Sequence, residues 1–348
     1  MKNLSICRFG ILLLISIALL PQACSRVGTD DITILYDFEC SQVQFAVGEI
    51  IKSLKADHYN VESAPLGTAG DFNSGSRIII GSISDDAIIN SMEKSGQSPS
   101  ENLTEEGFCI KTAGNGSERS VWVVGADKAG AMYGGLELAE QVKIYGLEEV
   151  KETEKNPYMR LRGTKFNIPL DVRTPSYTDP CDAAQQNIIE MWNFDFWVDY
   201  LDNLAKNRYN YVSLWSLHPF PSMVMVPDYP DIALDDVQRS KVEWEEYYST
   251  NGLGFDAPEI INNVEVLKEI TIEDKIAFWQ KVMTYGKSRN IDFYVVTWNI
   301  FVNGTKGQYG ITDKISNETT KDYFRKSVRQ MFLTYPYLAG IGLTTGEN

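Results

Sequence analysis

The sequence predicts an α/β protein, with a small N-terminal α/β domain followed by the first half of a (β/α)8 barrel. Up to about residue 147, strand-like and helix-like patterns are mixed. After Pro157, one strand alternates with one helix, which favours a parallel sheet covered with helices. The charged, proline-containing stretch 148–157 separates the two patterns, so we expect domains over 30–147 and 158–348.

In the N-terminal domain, apolar runs and helical spacing indicate four strands, of which the last two form a pair, and two helices. A buried-strand pattern has short apolar runs bounded by turn residues, whereas helices repeat apolar residues every three to four positions. The expected elements are strands over 32–36 and 77–81, helices over 41–55 and 129–145, and strands over 107–112 and 120–125 paired across the turn at 114–116.

Four strand-helix units follow in the second domain. The strands are expected over 161–168, 211–217, 293–298 and 338–344, with helices over 194–207, 271–290 and 317–335. The segment 218–269 is too long for a mere connection, which indicates a functional loop. The 191 residues from Tyr158 onward fall short of the roughly 250 of a full barrel. We therefore expect the sequence to be the front part of a longer protein.

The first residues predict export. Lys2 and Arg8 form a positive region, and an apolar run over 11–20 follows and ends at small residues, as in a signal peptide over 1–24. Ala23-Cys24-Ser25 resembles the lipobox of bacterial lipoproteins, although Pro21 stands where that motif usually has leucine. The resemblance implies lipidation of Cys24 and a place at the outer membrane, the cell surface or in the periplasm. Ordinary cleavage near Ala23 is the alternative.

Composition disfavours several classes of partner. The net charge of −15 is spread without long runs and argues against nucleic acid. No glycine-rich phosphate loop follows a strand, so no cofactor is expected. His218 has no second histidine or cysteine at ligand spacing, so no metal site is expected. No later stretch is apolar and long enough to span a bilayer, so membrane association is expected only through a lipid on Cys24.

The segment Val121–Gly134, read as VWVVGADKAGAMYG, resembles the small α/β domain that precedes the barrel in β-N-acetylhexosaminidases and α-glucuronidases. The resemblance covers about residues 30–145. Gly130, Gly134 and Gly135 are interpreted as positions that allow close helix packing. The block from Arg162 to Asp236 resembles exported Bacteroidetes glycosidase-like proteins.

Polar and aromatic residues follow the strands of the second domain, where a barrel of this kind has its active site. The tryptophans could stack on a pyranose while amides and an imidazole bond its hydroxyls, and the cations could pair with a sugar carboxylate. The candidate substrate-binding residues are Lys165, Asn167, Arg173, Trp215, His218, Trp298 and Asn299. Core packing of the tryptophans, a loop-orienting histidine, and a salt bridge from Arg173 to Asp171 or Asp179 remain open alternatives.

Two further residues come from the resemblance. The segment Gly342–Asn348 resembles the strand-to-glutamate segment of α-glucuronidases, and this resemblance implies Glu347 as general acid. Leu161-Arg-Gly163 resembles the start of the hexosaminidase barrel, which implies Arg162 as a sugar ligand. Gly346 replaces the aspartate that hexosaminidases have before the acid, so chemistry assisted by an N-acetyl group is doubtful. The partner carboxylate of α-glucuronidases lies on later strands.

These resemblances imply a glycoside hydrolase acting on poly- or oligosaccharides, with α-glucuronidase-like specificity as one option. A carboxyl group desolvated in a barrel mouth can hold its proton near neutral pH and protonate the leaving oxygen. Two alternatives belong to other classes: a glycan-binding lipoprotein without catalysis, and an inactive fragment whose barrel cannot close.

Overall fold

The structure is a computed structural model, and it describes residues 31–69, 75–176, 182–243, 254, 256–299 and 301–345. In this part of the chain no helix combines the length and the apolar character that crossing a membrane requires. The expected signal peptide and Cys24 lie outside the described residues.

The N-terminal unit is a six-stranded sheet. Its strands are β1 (Asp31–Tyr36), β2 (Asn60–Pro65), β3 (Ser76–Ser82), β4 (Phe108–Ala113), β5 (Ser120–Gly125) and β6 (Thr153–Lys155), and its helices are α1 (Ser41–Ala56), α2 (Asp86–Lys94) and α3 (Lys128–Tyr145). The order across the sheet is β2-β1-β3-β5-β4-β6, and β4 runs antiparallel to both of its neighbours. The expected strands and both expected helices are confirmed, whereas β2, α2 and β6 were not predicted.

Both faces of this sheet are buried, which explains the continuous apolar runs of its central strands. Ile32 and Ile34 of β1 face the core shared with α1 and α3, while Leu35 faces the opposite core with α2. Helices therefore cover the sheet from two sides.

The glycines of α3 permit close approach, as the sequence analysis expected. A Cβ on Gly130 would lie 2.2 Å from the carbonyl oxygen of Gly107, and one on Gly134 would lie 2.6 Å from the Val123 side chain. One on Gly135 would lie 2.8 Å from the Ala46 Cβ of α1. These contacts are shorter than carbon and oxygen atoms tolerate, so side chains at these positions would push α3 away from the sheet and from α1.

The second unit contains four parallel strands with helices between them. In chain order its elements are β7 (Gly163–Asn167), α4 (Asp182–Met191), α5 (Phe194–Lys206), β8 (Tyr211–Trp215), α6 (Phe220–Met223), β9 (Val237–Ser240), α7 (Pro258–Ile261), β10 (Val264–Lys268), α8 (Ile272–Lys287), β11 (Asp292–Trp298), α9 (Glu318–Thr334) and β12 (Leu338–Thr344). All four expected strands and all three expected helices are confirmed.

Strands β7, β8, β11 and β12 are neighbours in that order, and every pair is parallel. This is the strand succession of the first half of a (β/α)8 barrel. One face of the sheet packs against α5, α8 and α9 through residues such as Val212, Leu214, Phe293 and Val295. The expected long insertion carries the antiparallel pair β9 and β10.

A junction joins the two units around Glu106. Its carboxylate accepts hydrogen bonds from the Arg162 guanidinium, from Asn210 Nδ2 at 3.1 Å and from Asn290 Nδ2 at 2.7 Å. The Glu106 backbone has φ +62°, and its N–H donates to Asp127 Oδ2 at 2.8 Å. We call Glu106, Arg162, Asn210 and Asn290 the junction cluster.

Candidate active site

The face of the four-stranded sheet opposite the helices carries most of the candidate residues. Because side chains alternate along a strand, Lys165 and Asn167 of β7 lie on this inner face, whereas Phe166 between them packs on Trp197 of α5. In register with Asn167 lies Trp215 of β8, which in turn pairs with Val296 of β11.

Glycines on β12 make room for large side chains on the same face. A Cβ at Gly340 would lie 2.9 Å from the Tyr294 ring, and one at Gly342 would lie 3.0 Å from a Val296 methyl group. The side chains of Tyr294 and Val296 on β11 thus occupy the space that larger residues on β12 would fill. The inner face becomes an aromatic surface that is half-buried at Tyr211, Trp215 and Tyr294.

Trp215 and Trp298 form an edge-to-face pair at the carboxyl ends of β8 and β11. Their ring centroids are 5.6 Å apart and their planes are inclined by 72°. Lys165 Nζ lies 4.0 Å from the centroid of the Trp215 ring, and the Trp215 indole N–H donates to Ser213 Oγ at 3.1 Å. Trp298 is buried and Trp215 is half-buried, so only Trp215 of the pair presents substantial ring surface.

Two asparagines flank this pair, and each has an unsatisfied oxygen. Oδ1 of Asn167 and Oδ1 of Asn299 are buried and find no hydrogen-bond partner among the residues that the structure describes. A buried acceptor without a donor costs about 1–3 kcal/mol, so such groups are typical of sites where a ligand or water supplies the donor. Lys165, Asn167, Trp215, Trp298 and Asn299 form what we call the strand-end cluster.

His218 does not belong to this cluster, and its expected hydrogen bond to a sugar is not supported by its position. The side chain is fully buried between Phe220, Tyr323 and Phe324, at centroid distances of 5.5, 5.7 and 5.5 Å. Nδ1 lies 2.7 Å from the carbonyl oxygen of Asn303, which can only accept, so Nδ1 carries the proton. Burial lowers the His218 pKa to about 4 against the opposing effect of this hydrogen bond. The imidazole is neutral and orients the loop after β11.

Arg173 forms salt bridges within the protein, as in the alternative interpretation of this residue. Its Nε lies 2.7 Å from Asp171 Oδ1, and an Nη lies 2.7 Å from Asp236 Oδ1. Burial tends to lower the Arg173 pKa, but the hydrogen bonds and charges of Asp171 and Asp236 outweigh it and raise the pKa. The side chain fastens the loop after β7 to the insertion, which is a structural role rather than the expected pairing with a sugar carboxylate.

Arg162 lies just before β7, at the amino end of the sheet and away from the strand-end cluster. Beyond Glu106, its guanidinium donates to the carbonyl oxygens of Arg208 at 2.7 Å and Met159 at 2.7 Å. These hydrogen bonds hold the Arg162 side chain in the junction cluster. The structure therefore does not bring Arg162 together with the other expected sugar ligands.

A cavity of about 780 Å³ opens at the carboxyl end of the sheet, between the loop after β7, the insertion and the loop after β11. Its charged lining includes Arg173, Asp256, Lys306 and Asp313. Lys306 Nζ lies 3.0 Å from Asp313 and 3.9 Å from Asp256. This volume is within the range of small-ligand sites.

Sequence reasoning missed Lys275, which is fully buried beside these loops. Its Nζ donates to the carbonyl oxygen of Leu234 at 2.7 Å and lies 5.3 Å from the Trp192 ring. Burial lowers the Lys275 pKa to about 8, although Asp171 and Asp236 act in the opposite direction. Its position on α8 reads as an ordinary surface lysine, so the sequence carries no signal for it.

Glu347, the expected general acid, lies outside the described residues, which end at Thr345 in this region. Thr344 of β12 pairs with Trp298 of β11. The chain thus reaches the strand-end cluster three residues before Glu347.

Comparison with known proteins bears on the N-terminal unit first. Residues 30–138 match the glycosyl hydrolase family 67 N-terminus. The match spans β1 to the greater part of α3, and it confirms the resemblance of this stretch to the domain that precedes the barrel in glycoside hydrolases. A comparison with curated protein sequences finds no match.

Two solved glycoside hydrolases are similar to this chain. A GH138 enzyme targeting pectin rhamnogalacturonan II is 22% identical, with a TM-score of 0.61, over 91% of this chain and 31% of its own length. The GH20 β-N-acetylhexosaminidase from Streptomyces coelicolor A3(2) is 12% identical with a TM-score of 0.47, over 88% of this chain and 53% of the enzyme. The GH138 likeness establishes the succession of a small α/β unit and a barrel-type unit.

Proposed function

We propose that this chain acts in the hydrolysis of O-glycosidic bonds and binds its carbohydrate substrate on the strand-end cluster. The single observation that carries the proposal is the Trp215–Trp298 pair, with Lys165 and two unsatisfied amide oxygens, at the carboxyl ends of parallel barrel-type strands. The family 67 match of residues 30–138 supports the same reaction class. The chain spans 31% of the GH138 enzyme, so the activity of a whole protein of this kind is part of the proposal.

In this proposal the half-buried Trp215 ring stacks on the apolar face of a pyranose. The Oδ1 atoms of Asn167 and Asn299 accept hydrogen bonds from sugar hydroxyls, which satisfies two buried acceptors that otherwise cost stability. The Lys165 ammonium, held over Trp215, attracts the carboxylate of a uronic acid. An α-linked glucuronic acid is the specificity that this arrangement suits.

The proposed chemistry uses Glu347 as general acid. Glycosidic cleavage needs a proton delivered to the leaving oxygen, and the position after the fourth strand faces the barrel mouth. A second carboxylate acts from the opposite side of the sugar. Its distance, about 5 Å for retention or about 6.5–9.5 Å for inversion, sets the stereochemical outcome.

A second candidate is glycan binding without turnover. It is favoured by the composition of the strand-end cluster, whose five described members include no carboxylate. In both cases we propose export with a lipid on Cys24, on the sequence pattern described above.

The test measures hydrolysis of aryl glycosides and of uronic-acid-decorated oligosaccharides by the purified mature protein and three variants. We expect Glu347→Gln to abolish turnover and retain binding, and Trp215→Ala to weaken binding about tenfold. Lys165→Met should reduce turnover of uronic-acid substrates more than that of neutral ones. Tyr158→Ala, fully exposed and remote from the cluster, is the control and should behave like the wild type.

Full activity in Glu347→Gln would exclude the acid role. Binding of oligosaccharides by the wild type with no turnover of any substrate would instead support the glycan-binding candidate. Wild-type affinity in Trp215→Ala would exclude the strand-end cluster as the binding surface.

A further inference from the structure

A second crevice lies in the N-terminal unit, at the carboxyl ends of β1 and β3. These strands are neighbours and parallel, but the chain leaves them on opposite faces of the sheet: α1 after β1 packs in one core, and α2 after β3 packs in the other. When adjacent parallel strands send their connections to opposite faces, the loops diverge and leave a crevice, which is where open α/β sheets bind ligands.

The crevice has a volume of about 450 Å³ and receives residues from three strand ends. Tyr36 ends β1 and Phe38 follows it, Leu66 follows β2, and Ser84 and Asp86 follow β3. It belongs to a different unit from the strand-end cluster, and the proposed hydrolytic function does not use it.

Aromatic surface is available in this crevice. Phe38 is 39% exposed, although side chains of this kind are usually buried. Its ring meets that of Tyr36 edge-to-face at 4.7 Å, and its carbonyl oxygen accepts a hydrogen bond from Gln44 Nε2 of α1. The ring is therefore held in place at the mouth rather than packed against the core.

The polar lining selects the charge of the ligand. Asp37, Asp85 and Asp86 line the crevice, and none of the described lining residues is lysine or arginine. Asp85 is already used, since it accepts bonds from Ser82 N at 2.6 Å and Ser82 Oγ at 2.9 Å. The exposed Ser84 hydroxyl lies 2.7 Å from Ser82 Oγ, and because Ser82 Oγ donates to Asp85, Ser84 donates to Ser82 and keeps its acceptor capacity. The Ser84 oxygen and the exposed Asp86 carboxylate are placed to accept hydrogen bonds from a ligand. Carboxylates repel phosphates and uronates but accept hydrogen bonds from neutral hydroxyls.

We propose that this crevice binds a neutral carbohydrate, with a pyranose stacked on Phe38 and its hydroxyls bonded by Asp86 and Ser84. The combination of an ordered, exposed aromatic ring with acceptor groups is the chemistry that recognises a sugar. The site would hold a polysaccharide at the N-terminal unit, apart from the strand-end cluster.

The test uses the Trp215→Ala protein, so that binding at the strand-end cluster is suppressed. Titration calorimetry measures its affinity for xylohexaose, cellohexaose and tetragalacturonate. We expect at least one neutral hexaose to bind and tetragalacturonate to bind more weakly. Adding Phe38→Ala should lower the affinity for the neutral ligand about tenfold. The matched control adds Phe332→Ala instead, because Phe332 on α9 is comparably exposed at 47% but lies in the other unit.

Absence of binding to both neutral hexaoses, unchanged affinity in the Phe38→Ala protein, or an equal loss with Phe332→Ala would overturn the proposal. Tighter binding of tetragalacturonate than of the neutral sugars would overturn the assigned ligand class. Hydrolysis is measured separately on the protein with an intact Trp215. Failure of the proposed function and failure of this site are thus distinguishable.

Discussion

The junction cluster gives the sharpest prediction about stability, because one carboxylate satisfies three donors. Replacing Glu106 by alanine removes the partner of the Arg162 guanidinium and of the Asn210 and Asn290 amides. The Glu106 and Arg162 side chains are only 13% and 16% exposed, so water cannot readily replace the lost bonds. The change leaves a largely buried cation without its counter-ion.

The expected magnitude follows from these contacts. Breaking a buried ion pair from one side costs about 3–5 kcal/mol, because the remaining charge stays desolvated. The two amide hydrogen bonds contribute about 1 kcal/mol each, part of which the carbonyl oxygen of Arg160, 2.8 Å from Asn210 Nδ2, retains. We expect Glu106→Ala to lower the free energy of unfolding by about 4–6 kcal/mol.

Urea unfolding followed by tryptophan fluorescence and far-ultraviolet circular dichroism measures this loss. Glu105→Ala is the matched control, because the neighbouring Glu105 is 74% exposed and lies 3.8 Å from Arg160, which is 85% exposed. It should stay within about 0.5 kcal/mol of the wild type. If Glu106→Ala is as stable as Glu105→Ala, the junction cluster does not hold the units together and the reasoning fails.

Two further predictions concern buried groups. The His218 pKa is lowered to about 4 from an ordinary value of 6.5, so the stability it supports is complete above pH 6.5 and is lost as the pH falls toward 4. Over that window the free energy of unfolding should fall by about 3 kcal/mol, and this loss should be absent in His218→Gln. Identical pH curves for the wild type and His218→Gln would contradict the prediction. Gly130→Ala should strongly destabilise the N-terminal unit, because a Cβ there would lie 2.2 Å from the Gly107 carbonyl oxygen. The control is Gly48→Ala in α1, where a Cβ would meet nothing within 4 Å and the substitution should raise the thermal midpoint of unfolding. Equal midpoints for the two variants would show that α3 shifts freely.

Local periodicity was sufficient to predict most of the fold. The long apolar runs of β3 and β5 and the helical spacing of α1 and α5 depend on neighbours a few residues away. By contrast, β2 reads NVESAP and is mostly exposed, so its sequence lacks the alternation that identifies a strand. It forms because β1 offers a parallel edge to pair with.

The candidate site was predicted only in part, since position along a strand is local but partners are not. Trp215 and Trp298 were placed at neighbouring strand ends by counting elements, and the structure brings them to 5.6 Å. The partners of Arg173 and His218 include Asp236 and Asn303, which are 63 and 85 residues further along the chain. No spacing rule connects such pairs, and the same holds for Arg162 with Glu106.

The junction cluster also constrains the order in which the protein assembles during synthesis. Glu106 lies 56, 104 and 184 residues before Arg162, Asn210 and Asn290 respectively. Because domains generally fold as they leave the ribosome, the N-terminal unit completes its two cores while these donors are still being translated. The Glu106 carboxylate therefore stays hydrated at first, and the junction cluster is completed only after Asn290 has emerged.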